Sequence, residues 1–167
     1  MDKIIEKISA YNIFTNLLPG VIYCYLTENL YGTPLLQDDL LVGAFVYYFV
    51  GMVISRVGSL IVEPTLIFIK FVEYADYPNY VAASKDDHKL DTLLETNNSY
   101  RSVLSLLFCV GLTAVWVSAI AVSPAFQNYS QHTIATLLFL LFLFSYRKQT
   151  LYITARVKKH ADQKRTE

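Results

Sequence analysis

Three charged residues stand at regular spacing in an otherwise apolar part of the chain. Arg56, Glu63 and Lys70 are seven residues apart within the stretch SRVGSLIVEPTLIFIKF. This spacing keeps side chains within about 20° per step on one face of a helix, so it predicts a single charged stripe. Charge inside hydrocarbon is costly, and such residues face water, protein or lipid headgroups. The stripe therefore predicts the mouth of an aqueous path, a subunit contact, or side chains that reach toward headgroups.

Tyrosines and basic residues are interleaved after this stretch, a mixture suited to holding a nucleotide. Aromatic rings stack on bases while cations neutralise phosphates. Tyrosines also anchor helices at the membrane interface, and that interpretation stays open beside the first. The predicted ligand-binding residues are Tyr74, Tyr77, Lys85, Lys89, Tyr100 and Arg101.

Motifs of enzymes are absent from the sequence. It contains no phosphate-binding loop, dinucleotide fingerprint, zinc-protease helix or nucleophile elbow, and its three histidines are far apart. The two cysteines, Cys24 and Cys109, lie in apolar runs, so they predict neither a disulfide nor a metal site. We therefore expect no enzymatic activity, no cofactor and no metal.

The composition indicates a membrane protein. Of the 167 residues, 54% are hydrophobic and only 17% are charged, against about 25% charged in ordinary soluble domains. The 14 basic and 14 acidic residues cancel, so net charge favours neither nucleic acid nor an anionic surface. Four apolar stretches approach the length of about 20 residues that a helix needs to cross a bilayer. They are residues 13–30, 40–62, 103–122, and 134 to 146 or 151.

The distribution of basic residues predicts the orientation. All 14 fall before the first stretch, between the lower part of the second and the start of the third, or after the fourth. The other two connections, residues 28–39 and 123–132, contain neither lysine nor arginine. Because basic residues near helix ends are retained in the cytoplasm, we predict four spans with both termini cytoplasmic.

The predicted fold is an all-α membrane protein with four transmembrane helices and a short cytoplasmic helical segment between the second and third spans. Residues 1–70 would form the first pair with a juxtamembrane extension, 71–101 the cytoplasmic segment, and 102–167 the second pair with a basic tail. Together they form one integrated domain. Ser84 and Asp87 resemble a capping box, which predicts a helix over residues 85–96. Asn98 or Ser99 is then expected to cap the helix of the third span.

Two local features are expected to shape the first and second spans. Pro64 lacks the N–H that continues a helix, so we expect a bend or break there that acts as a hinge. Asn16 precedes Pro19 and Gly20, and polar or unpaired groups at this depth need protein or water, so this turn is expected to face the bundle or an oligomer contact. Asn16 and Pro64 join the charged stripe in the predicted pore or gating set. Small residues at positions 43, 51 and 55 predict close helix contact.

Two long parts of the sequence resemble small four-helix bacterial membrane proteins of anti-phage defence, and among these the Hailong-type membrane effectors. The parts are YNIFTNLLPGVIY and VGSLIVEPTLIFIKFVEYADYPNYVAASKDDHKLDTLLETNNSYRS. The resemblance implies a homo-oligomeric effector, most simply a tetramer, that forms an ion channel in the bacterial inner membrane and depolarises an infected cell. It also implies gating by an oligonucleotide or cyclic nucleotide from a partner nucleotidyltransferase.

Two functions remain open from the sequence. A ligand-gated channel would surround an aqueous path, and its ligand would shift a closed and an open state through different affinities for them. A non-conducting membrane scaffold would instead dock a soluble partner through the same charged cytoplasmic face.

Overall fold

The chain is all-helical in the residues that the computed structural model describes, which are 13–87 and 89–166. Side chains are described for these residues except at 13, 14, 78, 85, 86, 124–126 and 159–166. The elements are a π-helical turn Ile13–Leu17 followed by α1 Leu18–Tyr31; α2 Leu40–Val57, a second π-helical turn Gly58–Val62 and α3 Glu63–Phe68; α4 Tyr77–Asp86; α5 Lys89–Val122; and α6 Pro124–Thr166.

Among the described residues, three helices are long and apolar enough to cross a membrane. They are Leu40–Phe68 with 29 residues, Lys89–Val122 with 34 and Gln127–Lys158 with 32. At about 1.5 Å per residue, each is longer than the hydrocarbon core of about 30 Å. Helices able to span a membrane are thus confirmed at the second, third and fourth apolar stretches. The first stretch forms α1, whose 14 residues reach only about 21 Å, so its crossing stays a prediction.

Most apolar side chains of the described helices point outward. Only Cys24, Ile54 and Leu106 are buried hydrophobic side chains in the described part of the chain. By contrast, Phe45 on α2 is 71% exposed and Phe139 on α6 is 67% exposed. Contiguous apolar surface of this kind is rare on soluble monomers, because water penalises it. The outer faces therefore suit lipid or further copies of the chain.

α1 packs against α2 with the two backbones in direct contact. A Cβ atom added to Gly51 would lie 1.7 Å from the carbonyl oxygen of Asn16. A Cβ atom added to Gly20 would lie 1.8 Å from the carbonyl oxygen of Tyr47. Only glycine permits this approach, which confirms the predicted close contact at position 51.

The other helices are joined by polar and aromatic contacts. Tyr23 Oη of α1 lies 2.7 Å from Thr113 Oγ1 of α5, where either hydroxyl can donate. The rings of Phe49 on α2 and Phe142 on α6 stack with their centroids 6.0 Å apart. At the start of α2, Asp39 accepts a hydrogen bond from the Val42 N–H at 2.9 Å, and this N-cap explains why the helix begins at position 40 as predicted.

The helix of the second span continues through Pro64, so a break there is wrong, whereas the bend and its role as a hinge stay predictions. The chain stays helical over Leu40–Phe68, and the π-helical turn Gly58–Val62 lies immediately before the proline. Within it the Glu63 N–H bonds to the Gly58 carbonyl, five residues back. A π-helical turn inserts one residue into the helix, and this relieves the hydrogen-bond ladder where proline has no N–H to donate.

This helix ends at Phe68 in a turn around Lys70. Lys70 has a φ of 58°, the left-handed conformation usually taken by glycine at a helix end. Its N–H bonds to the Ile67 carbonyl at 3.0 Å, and the Phe71 N–H bonds to the Leu66 carbonyl at 2.9 Å. These two bonds form a Schellman motif. Lys70 therefore lies beyond the helix, and a helical stripe that includes it is wrong.

The segment between the second and third spans is divided differently from the prediction. The helix expected over residues 85–96 is interrupted, because α4 ends at Asp86 and α5 begins at Lys89. Asp87 marks the boundary, since its Oδ1 accepts a hydrogen bond from the Lys89 N–H at 2.9 Å. An aspartate that caps the start of a helix explains why the boundary falls here.

α5 then runs through the predicted cap of the third span without interruption. Asn98 and Ser99 lie inside the helix Lys89–Val122, so neither residue begins it. The Ser99 hydroxyl donates to the Glu95 carbonyl one turn earlier at 2.9 Å. This local bond satisfies the polar side chain within a helix, which is why a residue typical of caps can occupy this position.

α5 and α6 are joined almost directly. Ser123 alone separates α5 from Pro124, where α6 begins, so the loop expected over residues 123–132 is largely helical. Proline is favoured in the first turn of a helix, where its missing N–H needs no partner. α6 has 43 residues and a length of about 64 Å. The fourth apolar stretch and the described part of the basic tail are therefore one helix.

Candidate functional site

A carboxylate shared by two cations lies where the three helices long enough to cross a membrane meet. Glu63 on α3 accepts a hydrogen bond from Arg101 Nη1 of α5, at 2.9 Å from Oε2. Lys148 Nζ of α6 lies 3.6 Å from the same oxygen. Lys148 also donates to the backbone carbonyl of Ser59 in the π-helical turn. Three helices are thereby joined by one acidic side chain.

Arg56 brings a third cation to this cluster. A pocket of about 220 Å³ opens between the three helices. In the described part of the chain, Arg56 forms no ion pair, whereas Arg101 and Lys148 both contact Glu63. The pocket residues are Arg56, Ser59, Glu63, Arg101, Ser145, Lys148, Gln149 and Tyr152; we call this the polar pocket.

The polar pocket has a formal excess of two positive charges, since Arg56, Arg101 and Lys148 outnumber the single carboxylate of Glu63. Guanidinium and ammonium groups donate several hydrogen bonds each, and Arg is well shaped for the oxygens of a phosphate or carboxylate. Lys148 also lies 5.8 Å from the centroid of the Tyr152 ring, within the range of a cation–π contact. Chemically, the arrangement is suited to holding an anion between helices.

The residues that line the polar pocket include one carboxylate and neither histidine nor cysteine, so they do not form a metal-binding set. Within residues 13–87 and 89–166, no group of three or more His, Cys, Asp or Glu side chains is placed to hold a metal ion. Cys24 is buried in α1, and both cysteines are free thiols.

The structure brings together part of the gating set predicted from the sequence. Arg56 and Glu63 line the polar pocket, and Pro64 follows Glu63 directly with its side chain exposed. Lys70 lies beyond the helix end. Asn16 belongs to the contact between the first π-helical turn and α2, where its amide lies 3.5 Å from the Tyr48 hydroxyl.

Of the predicted ligand-binding residues whose side chains the structure describes, Arg101 alone lines the polar pocket. Lys89 is twelve residues away on the same helix, about 18 Å along its axis, too far for both to grip one phosphate. Tyr100 is 68% exposed and, as the neighbour of Arg101, points about 100° away from it around the helix.

The remaining members of that set belong to the connecting segment. Tyr74 precedes α4, and its hydroxyl accepts a hydrogen bond from the Asn97 amide at 3.3 Å. Tyr77 is the first residue of α4. The side chain of Lys85 lies outside the described residues. Tyr74 therefore ties the connecting segment to α5.

Lys148 is the charged residue of the polar pocket that the sequence did not predict. It belongs to the basic residues near the end of the fourth apolar stretch, which predict the positive-inside orientation. One sequence feature separates it from the rest of the tail: Ser145, Lys148, Gln149 and Tyr152 recur at helical spacing. That periodicity predicts one polar face on α6, but it does not predict which helix the face meets.

Neither a family model, nor a curated protein, nor a solved structure matches this chain. The resemblance to anti-phage membrane effectors stays a prediction.

Proposed function

We propose that the chain is a four-span protein of the bacterial inner membrane, with both termini cytoplasmic, whose copies form an ion channel controlled by an anionic, nucleotide-type signal. The signal binds from the cytoplasmic side at the polar pocket. Opening depolarises the membrane of an infected cell, and the signal comes from a partner nucleotidyltransferase. The defence role and the partner rest on the resemblance of the sequence alone.

The observation that supports this proposal is the sharing of Glu63 between two helices. Arg101 and Lys148 both contact one carboxylate, and both belong to a pocket with excess positive charge. An incoming phosphate competes with Glu63 for these two cations. A ligand shifts the equilibrium between two states when it binds one of them more tightly than the other. When phosphate replaces Glu63 as the partner of these cations, the contacts that hold the three helices together change.

The outward apolar faces support an oligomer in the membrane. A single copy buries few of its described hydrophobic side chains, whereas Phe45 and Phe139 remain largely exposed. Because lipid already covers the apolar surface of membrane helices, these helices associate through close packing and polar contacts. A ring of copies would supply the aqueous path that one copy of this size does not enclose.

Ion flux through purified protein in liposomes tests the channel. Vesicles are loaded with potassium, and release is followed with no ligand, with a short oligonucleotide, with a cyclic nucleotide and with inorganic phosphate. We expect flux that responds to at least one of the two nucleotides. Vesicles that release no potassium in any of the four conditions would reject the channel and favour the scaffold.

The scaffold has one structural feature in its favour. α6 is about 64 Å long, roughly twice the hydrocarbon thickness, so its second half projects from the membrane. Arg156 and Lys158 are exposed on that half. If no flux is seen, a soluble partner that binds this basic half of α6 would be captured by the full chain and lost when both residues are replaced by glutamine.

A matched pair of variants links any flux to the polar pocket. Lys148→Gln removes a cation that contacts Glu63, and Arg156→Gln removes an exposed cation of the same helix outside the pocket. The first variant should alter the response to ligand, and the second should leave it unchanged. Equal responses in both variants would exclude the polar pocket as the sensor.

A further inference from the structure

An apolar groove runs along α6 and contains two cations toward one end. It has a volume of about 430 Å³ and is bounded on its other side by Leu60 and Ile61 of the π-helical turn. Leu137, Leu140, Leu141 and Phe144 line it at the i, i+3, i+4, i+7 spacing of one helical face; Arg147 and Lys148 follow, and Leu151 lies about one turn beyond them. We call this the lipid groove.

The dimensions of the lipid groove match one leaflet of a bilayer. From Leu137 to Lys148 is eleven residues, or about 17 Å of helix. Half of a hydrocarbon core of about 30 Å is about 15 Å. The cations therefore stand at headgroup level when the apolar part lies in the acyl-chain region. The groove is also open to the outside, since Leu137 is 55% and Phe144 is 51% exposed.

We propose that the lipid groove binds an anionic phospholipid of the leaflet at the basic end of the helices. One acyl chain lies along the face from Leu137 to Phe144, and the phosphate is held by Arg147 and Lys148. This assignment goes beyond the channel or scaffold function and requires neither.

Charge at the mouth of the groove favours an anionic lipid over a zwitterionic one. Arg147 and Lys148 lie near one end of the groove, and the adjoining polar pocket adds Arg56 and Arg101 against the single carboxylate of Glu63. A choline or ethanolamine group would bring a further positive charge to this surplus of cations. Basic pockets between membrane helices commonly hold acidic lipid headgroups for the same reason.

Lys148 belongs to both the lipid groove and the polar pocket. A lipid phosphate that draws its ammonium outward weakens the contact with Glu63, 3.6 Å away. Lipid bound in the groove therefore changes the charge balance of the polar pocket. The composition of the membrane would in this way adjust how the pocket binds its own anion.

Native mass spectrometry of the detergent-solubilised full chain tests the proposal with two probes, phosphatidylglycerol and phosphatidylcholine. We expect phosphatidylglycerol to bind at least about tenfold more tightly. Arg147→Gln should weaken its binding about fivefold, and Arg147→Gln/Lys148→Gln about thirtyfold, since each basic residue adds to the attraction for an acidic lipid. Arg156→Gln is the matched control and should bind like the wild type.

Arg147→Gln carries the test if the double variant does not fold, because Arg147 is exposed and forms no ion pair with any described residue. A further arm adds glycerol phosphate, which has the headgroup phosphate but no acyl chain. It should displace little phosphatidylglycerol. If glycerol phosphate displaced phosphatidylglycerol when both were present at equal concentration, the groove would be a site for free phosphate and the lipid assignment would be overturned.

Two other outcomes overturn the proposal. Equal binding of the two lipids to the wild type, or unchanged binding to Arg147→Gln, would show that the cations do not select the headgroup. A disulfide formed in membranes between two copies of Leu140→Cys, with Cys24 and Cys109 replaced by alanine, would show that a second copy occupies the groove.

Discussion

Glu63 accepts a hydrogen bond from Arg101 with 2.9 Å between Oε2 and Nη1, although the residues are 38 positions apart. Their side chains are 17% and 25% exposed, respectively. Ion pairs shielded from water are more costly to break than surface pairs, because the remaining charge loses its partner where water is scarce. This pair holds α3 against α5.

We expect the two residues to be coupled in stability. In a double-mutant cycle with Glu63→Gln and Arg101→Gln, the double variant should lose about 1–3 kcal/mol less than the sum of the single variants. Reversible unfolding in mixed detergent micelles measures this. The same cycle with Arg156→Gln in place of Arg101→Gln is the control and should be additive. Additivity in both cycles would mean that the pair contributes nothing.

The backbone contact between α1 and α2 predicts a strong effect of small substitutions. Gly51→Ala and Gly20→Ala would each place a methyl group within 2 Å of a facing carbonyl oxygen, and overpacking of this kind costs about 1–3 kcal/mol. Gly111→Ala is the matched control, because a Cβ atom there would meet nothing within 4 Å. Unfolding in micelles compares the three variants. Equal stabilities would contradict the contact.

The left-handed conformation of Lys70 predicts an unusual order of stabilities. Lys70→Gly should stabilise the chain by about 1 kcal/mol, since glycine adopts a φ near 58° without strain. Lys70→Ala removes the charge but keeps the strain, so it should leave stability near that of the wild type. A gain with alanine as large as that with glycine would assign the effect to the charge instead.

Two candidate binding sites for an anionic ligand, the polar pocket and the residues predicted from the sequence, can be distinguished by mutation. Arg56→Gln and Arg101→Gln should weaken binding of a nucleotide, and each should make the logarithmic salt dependence shallower by about 0.7–0.9 per lost phosphate contact. Lys89→Gln should change neither property, because Lys89 lies about 18 Å along α5 from Arg101. Titrations at several salt concentrations measure both. Weakened binding in Lys89→Gln alone would restore the site predicted from the sequence.

The predicted topology can be tested by labelling in intact cells. In a background with Cys24 and Cys109 replaced by alanine, Asp38→Cys and Ser130→Cys should react with a membrane-impermeant maleimide from outside. Lys158→Cys should react only after the membrane is opened. Labelling of positions 130 and 158 from the same side would overturn the orientation.

Position 3 provides the test of the first span. Lys3→Cys in the same background should behave like Lys158→Cys if α1, with the residues before it, crosses the membrane. Protection of both positions in intact cells supports four spans. If position 3 is labelled from outside, the chain crosses an odd number of times.

Helix ends were predictable where one side chain settles them locally. Asp39 caps α2 through the Val42 N–H, so the start of this helix was readable from adjacent residues. The end at Phe68 was not, because a lysine occupies the left-handed position where glycine is expected. Ser99 was expected to cap a helix but lies inside α5, because its hydroxyl donates to a carbonyl of the same helix. Local preference predicts a boundary only when no other partner is available.

The sequence by itself determined that helices long and apolar enough for a membrane would form, whereas the collection of basic residues on one side of the membrane stays a prediction. Apolar length and charge are sums over neighbouring residues, so they need no knowledge of the partner helices. Tertiary structure alone decided that Lys148 meets Glu63 while Lys70 does not. Contacts between helices depend on the rotation and depth of each helix relative to its neighbours. The π-helical turn and the backbone contact at Gly51 influence both, and the sequence of a single segment does not specify them.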